Sequence, residues 1–213
     1  DAKQLQPVEA GGPFPAIAAR HGEVQLTQIV RQREEWSRES VHAVAEGRAS
    51  DALREFAERG FLSICGTRSE ARSALLEAWR PEGTRNPVDH LIITGTNEEA
   101  GILNREIQAL RRQDHSIGQD FVSIGSLTLH SGDRVLFTRN ARLLGVSNGD
   151  LGTVTAAEPQ WNQLRVKLDS GQAVWIKVDT YSDLKLGYAV TTHKGQGATA
   201  RNAYVLSDPS MQD

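Results

Sequence analysis

The sequence predicts an α/β domain interrupted by a small all-β insertion. Three observations carry that prediction. A short apolar run, His90-Leu91-Ile92-Ile93-Thr94, lies between turn residues and is followed by a helical stripe. Residues 127–184 then change to short strands separated by Gly, Asn and Asp. Tyr188-Ala189-Val190-Thr191-Thr192 and Ala203-Tyr204-Val205-Leu206 return to short apolar runs of the first kind. Short apolar runs between turn signals read as strands buried on both faces, whereas apolar/polar alternation reads as strands with one wet face.

Taken in order, Asp1 to Val8 reads as a loop, and Gly11-Gly12-Pro13 breaks the chain before one or two helical turns over Phe14 to Arg20. Val24, Leu26, Ile29 and Val30 suggest a short strand over residues 24–30. From Glu34 the spacing is helical, with Trp36, Val41, Val44 and Ala45 on one stripe and a stop at Gly47. Ser50-Asp51 is expected to cap a second helix carrying Leu53, Phe56 and Ala57, closed by Gly60. Thr67-Arg68-Ser69-Glu70 opens a third, with Ala71, Ala74, Leu75, Ala78 and Trp79 along it and Pro81-Glu82-Gly83 at its end. After the strand at 90–94, Thr96-Asn97-Glu98-Glu99 begins a helix striped by Ile102, Leu103, Ile107 and Leu110.

Within the insertion, Val135 to Thr138 is strand-like, and Ser147-Asn148-Gly149-Asp150 has the signature of a type I′ hairpin turn. Leu164 to Leu168 alternates strictly, Asp169-Ser170-Gly171 turns, and Ala173 to Val178 alternates again. Several short strands over about 50 residues suggest a small β-barrel of SH3-like size.

Composition sets the outer limits. The chain has 213 residues, 38% hydrophobic and 24% charged, as in ordinary globular domains. No run approaches the roughly 18 apolar residues needed to span a membrane. One cysteine, Cys65, rules out an intramolecular disulfide framework and fits a reducing cytoplasm; its Phe61-Leu62-Ser63-Ile64 neighbours suggest a packed apolar thiol. The six histidines make no metal-ligand spacing. A net charge of −3 argues against coating duplex DNA by bulk charge, so any nucleic-acid contact must rest on a few placed groups and stacking.

Two polar loops stand out. In Thr191-Thr192-His193-Lys194-Gly195-Gln196-Gly197-Ala198-Thr199, Gly195 and Gly197 permit close backbone approach to an anion and Lys194 adds charge. In Asp1-Ala2-Lys3-Gln4-Leu5-Gln6-Pro7-Val8, the Gln4 side chain offers a neutral amide donor. No G-x-x-x-x-G-K-[ST] spacing occurs. Thr94, Thr96 and Asn97 lie at a helix N-terminus, where they can either hold a phosphate or simply cap the helix. Trp36 is read as core rather than a stacking platform, and Arg139, Asn140 and Arg142 as solvated surface with strand contact the alternative.

These segments resemble, in order and over essentially the whole chain, motifs of superfamily 1B (RecD-like) DNA helicases. Residues 1–8 resemble the GDxxQLxPV motif without its leading glycine; Leu26-Thr27-Gln28-Ile29-Val30-Arg31-Gln32 resembles the motif bearing an arginine that reaches across the nucleotide cleft; residues 188–199 resemble T-x-HK-x-QG. The segments Gln4 to Phe14 and Arg31 to Glu39 look most like the helicase region of TraA/TraI-type conjugative relaxases.

The resemblance implies a RecA-like (P-loop NTPase-type) second motor domain with an inserted SH3-like barrel, present as part of a longer motor. The implied limits are a first-domain remnant and linker at 1–25, the second motor domain at 26–126, the barrel at 127–184 and the return at 185–213. Gln4 and Arg31 are implied as catalytic and, with Gln196 and Gly197, nucleotide-binding; Thr94, Thr96, Asn97, Thr192, His193 and Lys194 as DNA-binding; no metal ligand is implied. ATP and Mg²⁺ would serve the intact parent, and these residues alone would hold neither tightly nor hydrolyse ATP. Expected partners are single-stranded DNA, the first motor domain and conjugative transfer proteins in the cytoplasm, with no membrane. Two rivals are a vestigial DNA- or partner-binding helicase domain and a RecD-like repair helicase.

Overall fold

The computed structural model describes residues 13–22, 32 and 34–207. Its contacts divide the chain into two units, Asp1–Ile64 and Cys65–Asp213.

The first unit contains α1 (Pro13–His21), α2 (Glu35–Ala45) and α3 (Ala49–Glu58). Helices α2 and α3 pack together, burying Ala43 and Ala52. Trp36 stacks on Phe61, with ring centroids 5.5 Å apart, and meets Phe56 edge-on at 5.3 Å. It therefore packs among its own neighbours. Contrary to expectation, α3 begins at Ala49 with Arg48 at the N-cap, and no side chain caps it. Asp51 instead binds the Arg48 guanidinium at 3.3 Å. The strand expected over residues 24–30 lies outside the described residues.

In the second unit Cys65 is half-buried, while Phe61, Leu62 and Ile64 before it are exposed. The packed apolar thiol site expected from those neighbours is not formed among the described residues. Helix α4 (Arg68–Gly83) starts at a complete capping box: Thr67 Oγ1 accepts from the Glu70 N–H, and the Glu70 carboxylate accepts from the Thr67 N–H. Then come β1 (His90–Thr94) and α5 (Asn97–Gln113), as the sequence pattern requires. Strand β1 is central to a parallel three-stranded sheet completed by β9 (Ala189–Thr191) and β10 (Asn202–Leu206), in the order β10-β1-β9.

The two faces of β1 bury different things, which is why its sequence is a continuous apolar run. Ile92 joins the core of Leu75 and Trp79 from α4 and Ala100, Leu103 and Ile107 from α5. Leu91 and Ile93 instead meet Val190, Leu136 and Leu151. Trp79 is fully buried, its indole N–H donating to the His90 carbonyl at 2.9 Å, so the large ring carries no unmade donor.

Between α5 and β9 the chain is all β. A hairpin, β2 (Phe121–Ile124) and β3 (Leu127–His130), precedes a five-stranded antiparallel sheet. Its strands are β4 (Arg134–Phe137), β5 (Leu151–Glu158), β6 (Gln163–Leu168), β7 (Ala173–Lys177) and β8 (Leu184–Leu186), ordered β7-β6-β5-β4-β8. A bulge breaks the β5–β6 register between Val154 and Ala156. The alternation read from the sequence holds: Leu164, Val166, Leu168, Val174 and Ile176 point inward, and Arg165, Lys167, Trp175 and Lys177 outward.

Closure into an SH3-like barrel is not found. Among the described residues β7 and β8 remain edges, and the β2–β3 hairpin pairs with itself. Alternation dictates which side chains face inward, but closure requires stagger and tilt that a local pattern does not encode. The Ser147–Asp150 turn also differs. Of its two central residues only Gly149 has positive φ (102°), whereas a type I′ turn needs both. The Asp150 N–H donates to the Ser147 carbonyl at 3.1 Å, and a positive φ at the third position alone is the mark of a type II turn.

Candidate nucleic-acid interface

Strands β1 and β9 are parallel neighbours, so their carboxyl ends emerge side by side with Thr94 paired to Thr191. The carboxyl edge of a parallel sheet is where loops can converge on a ligand. From β9 the chain enters a single helical turn, α6 (Thr192–Gly195). Thr191 Oγ1 accepts from the Lys194 N–H at 3.4 Å, and Thr192 Oγ1 donates to the Thr94 carbonyl at 3.3 Å. These bonds tie the loop to both strand ends. Gly197 has φ +88°, and a Cβ there would meet nothing within 4 Å. The glycine is thus required by backbone conformation, not by crowding.

The predicted residues divide by placement. Thr192, His193, Gln196 and Gly197 are exposed on one continuous loop. Lys194 is half-buried, with Nζ donating to Asn148 Oδ1 at 2.5 Å; the Asn148 N–H in turn donates to Asn140 Oδ1 at 2.7 Å. Its charge is therefore anchored to the insertion. Thr94 is 1% exposed and its hydroxyl donates to the Thr96 carbonyl at 3.0 Å, which puts it beneath the loop. Thr96 caps α5, accepting from the Glu99 N–H at 3.2 Å, and Asn97 is the exposed first residue of that helix. The first turn of α5 already holds Glu98 and Glu99, the latter buried within 3.5 Å of both Arg68 and Arg72. A phosphate at that N-terminus would face two carboxylates already placed against the dipole. Gln4 and Arg31 lie outside the described residues.

Among the described residues no group of three or more His, Cys, Asp or Glu side chains gathers as a metal site. No helix there is long and apolar enough to cross a membrane.

A family model described as an AAA domain matches residues 1–67. Conjugal transfer protein TraA of Agrobacterium fabrum is 32% identical over 217 residues, which is 99% of this chain and 20% of TraA. The ATP-dependent RecD2 DNA helicase of Deinococcus radiodurans is 30% identical over 202 residues, 93% of this chain and 26% of that protein. Among solved structures, the Bacteroides Pif1 helicase in complex with ADP-AlF3 and ssDNA overlays 87% of the chain at a TM-score of 0.55, with 20% identity and 46% of Pif1 covered. Pif1 bound to ssDNA overlays 89% at 0.52, with 22% identity and 47% of that chain. The chain belongs to the superfamily 1B helicases, among sequences related to TraA. It spans about a fifth of the length of the TraA proteins it matches, and its mixed α/β fold is similar to that of Pif1.

In this superfamily 1B sequence the residues that hold the loop from below escaped the sequence reading. Asn104 on α5 is buried against the edge of β9. Its Oδ1 accepts from the Tyr188 and Ala189 N–H groups, both at 2.9 Å, and its Nδ2 donates to the Ala189 carbonyl at 2.8 Å. One side chain thus stands in for a missing neighbouring strand. Further along α5, the buried Arg111 donates to the carbonyls of Thr84, Gly132 and Ser116 and to the Tyr188 hydroxyl at 2.9 Å. That hydroxyl donates to Asp133 Oδ1 at 2.6 Å, while Asp133 Oδ2 accepts from Gln108 Nε2 and the His130 N–H, both at 2.7 Å. Burial, then the adjacent Asp133 charge, hold the Tyr188 hydroxyl protonated far above its ordinary range. The sequence did carry a signal: Asn104, Ile107 and Arg111 share the buried stripe of α5, where a polar residue must find partners.

Proposed function

We propose that this chain supplies the second RecA-like motor domain of an ATP-dependent superfamily 1B DNA helicase that translocates on single-stranded DNA, in the service of conjugative transfer. What supports the reading is one juxtaposition. The Thr192–Gly197 loop and the Thr94–Asn97 segment, distant in sequence, lie together at the carboxyl ends of adjacent parallel strands, tied by the Thr192–Thr94 bond. The relatives lend the partner class, since one Pif1 structure is described as bound to ssDNA and TraA is named a conjugal transfer protein.

In this reading Thr192 and His193 hydrogen-bond the DNA backbone, which positions a strand without reading its sequence. Gln196 and Gly197 face the nucleotide. Gln4 senses the γ-phosphate, and Arg31 meets the charge that develops on the transferred phosphoryl group, which a planar guanidinium matches in two-point geometry. Lys194 carries its positive charge at the seam between the loop and the insertion. Thr94 acts by holding the loop, and Thr96 and Asn97 line the neighbouring edge. ATP and Mg²⁺ would be gripped chiefly by the first motor domain, which is the expected intramolecular partner. These 213 residues alone therefore bind a single strand weakly and hydrolyse no ATP. The RecD2 likeness keeps a repair helicase as the second reading; a relaxase histidine cluster and tyrosine nucleophile on the same polypeptide would separate the two.

The experiment is fluorescence anisotropy of a labelled oligo(dT) 20-mer with the full chain at low salt, alongside a phosphate-release assay. The Thr192→Ala/His193→Ala double variant should bind at least tenfold more weakly, and His193→Ala, which leaves the Thr192–Thr94 bond in place, should weaken binding with an unchanged melting curve. Equal binding by variant and wild type would refute the loop assignment, and robust phosphate release would refute the expected inactivity.

A further inference from the structure

A second surface, sharing no residue with the loop, carries the chemistry of strand recognition. On the outward face of the five-stranded sheet, Arg165 and Lys167 of β6 alternate with buried neighbours. Trp175 and Lys177 do the same on β7. Arg165 stands directly opposite Trp175 in the ladder, and Lys177 opposite Gln163. Cations two residues apart on one face of a strand are separated by about 7 Å. The indole of Trp175 is 48% exposed, with the Arg165 guanidinium 5.9 Å from its ring centre. Just past the Lys177 end, Trp161 at the tip of the β5–β6 connection is 67% exposed; the carbonyl of its neighbour Asn162 accepts from the Val178 N–H, which fixes that tip beside β7.

The charge on this face is unbalanced for a local reason. Three nearby carboxylates have other partners, but only Asp169 is neutralised by a cation; Asp179 and Glu158 are held by neutral amides and keep their charge beside the three cations. Asp169 takes both terminal nitrogens of Arg134 at 2.7 and 2.6 Å, Asp179 accepts from Asn162 Nδ2 at 2.7 Å, and Glu158 accepts from Gln163 Nε2 at 2.6 Å. Among the described residues no salt bridge involves Arg165, Lys167 or Lys177. Three cations without a carboxylate partner, set around an exposed indole, form a polyanion-binding surface with a stacking platform. A half-exposed tryptophan offers an aromatic face on which a base can stack, and a duplex keeps its bases stacked inside and cannot offer them to it. An unpaired strand offers both phosphates and bare bases.

We infer that the outer face of β6 and β7, centred on Trp175 with Arg165, Lys167 and Lys177, is a second binding surface for single-stranded nucleic acid. It shares its class of partner with the proposed function and none of its residues.

The test titrates the full chain against a labelled oligo(dT) 20-mer, a duplex of equal length and poly-glutamate over a series of salt concentrations. Trp175→Ala should weaken oligo(dT) binding about tenfold, and Trp175→Phe should restore most of the loss, because stacking needs an aromatic face. Arg165→Ala/Lys167→Ala should lower the log–log salt slope by about 1.4, the value for two phosphate contacts on a single strand. All three substituted positions are exposed, so melting curves should match wild type. Should the loop variant Thr192→Ala/His193→Ala abolish binding while the sheet variants bind as wild type, this inference fails and the loop reading stands. Loss confined to the sheet variants would instead uphold the β6–β7 surface and refute the loop assignment. Equal affinity for duplex or poly-glutamate, unaffected by Trp175→Ala, would also overturn the inference, as would no oligo(dT) binding at low salt.

Discussion

Replacing Asn104 by alanine tests whether the loop is held in place by one side chain. The substitution removes the acceptor for the Tyr188 and Ala189 N–H groups and the donor to the Ala189 carbonyl. Asn104 is 7% exposed and the two strand residues 1% each, so water has little access to the orphaned groups. An unmade buried polar group costs about 1–3 kcal/mol, so three of them set a range of roughly 3–9 kcal/mol. Partial relaxation and a water entering the space left by the amide bring the expectation to the lower part, about 3–5 kcal/mol. Domains of this kind are stable by about 5–15 kcal/mol in total, so the loss should be large and visible. In urea unfolding followed by circular dichroism, the midpoint should fall with little change in slope. Amide exchange should localise the effect, with Tyr188 and Ala189 losing protection more than tenfold relative to Ile92 on the other side of the pairing. Asn104→Asp keeps the size and the acceptor but turns a second oxygen toward the Ala189 carbonyl, and should also be destabilised. A loss below about 1 kcal/mol, together with unchanged exchange at Tyr188 and Ala189, would refute the claim that Asn104 replaces a strand partner.

Further predictions concern the buried network beside it. Arg111→Met and Asp133→Asn should each cost about 3–5 kcal/mol, because each leaves the opposite charge buried and less well paired. Urea melts of the double variant should show a loss smaller than the sum by at least about 1 kcal/mol, since the two act through the shared Tyr188 hydroxyl. For pH, all three tyrosines, Tyr181, Tyr188 and Tyr204, have raised values, in each case chiefly through burial. A raised tyrosine pKa means the folded chain keeps protons that the unfolded chain has lost. The stability they contribute is therefore complete below about pH 10 and declines as pH rises beyond it. Melts between about pH 8 and 11 should show this decline, and Tyr188→Phe should reduce its steepness; a wild-type stability that rises above about pH 10 would contradict the assignment.

What could be read from the sequence was what local physics determines. The run at 90–94 announced a strand buried twice over, and β1 indeed packs against helices on one side and β4 and β5 on the other. Thr67 and Glu70 announced a helix start and form a reciprocal cap. Period-two spacing announced β6 and β7 with the correct inward faces. Non-local decisions were hidden. Whether β7 and β8 would meet depends on sheet stagger, and the open order answers it only in three dimensions. That Lys194 would reach Asn148, 46 positions earlier, required the fold to bring the loop and insertion together. Asn104 and Arg111 lay on a helical stripe as visible as any, yet their partners at Ala189 and Tyr188 are 85 and 77 positions away.

The polar network also explains why the insertion belongs mechanically to the loop rather than hanging from it. Tyr188, the residue before β9, is held by Asn104 through its backbone and by Arg111 and Asp133 through its hydroxyl. Asp133 is the residue before β4, the strand whose Leu136 packs against Leu91 and Val190. Displacing the inserted sheet would thus have to break a buried carboxylate–phenol–guanidinium chain and open an apolar seam at once. Breaking a buried charged hydrogen bond is expensive because neither partner finds water in exchange. The Lys194–Asn148 bond adds a tie at the exposed end of the same contact. A strand gripped by Thr192 and His193 would therefore pull on the five-stranded sheet as a rigid lever, and any nucleic acid held on the outer face of β6 and β7 would move with it.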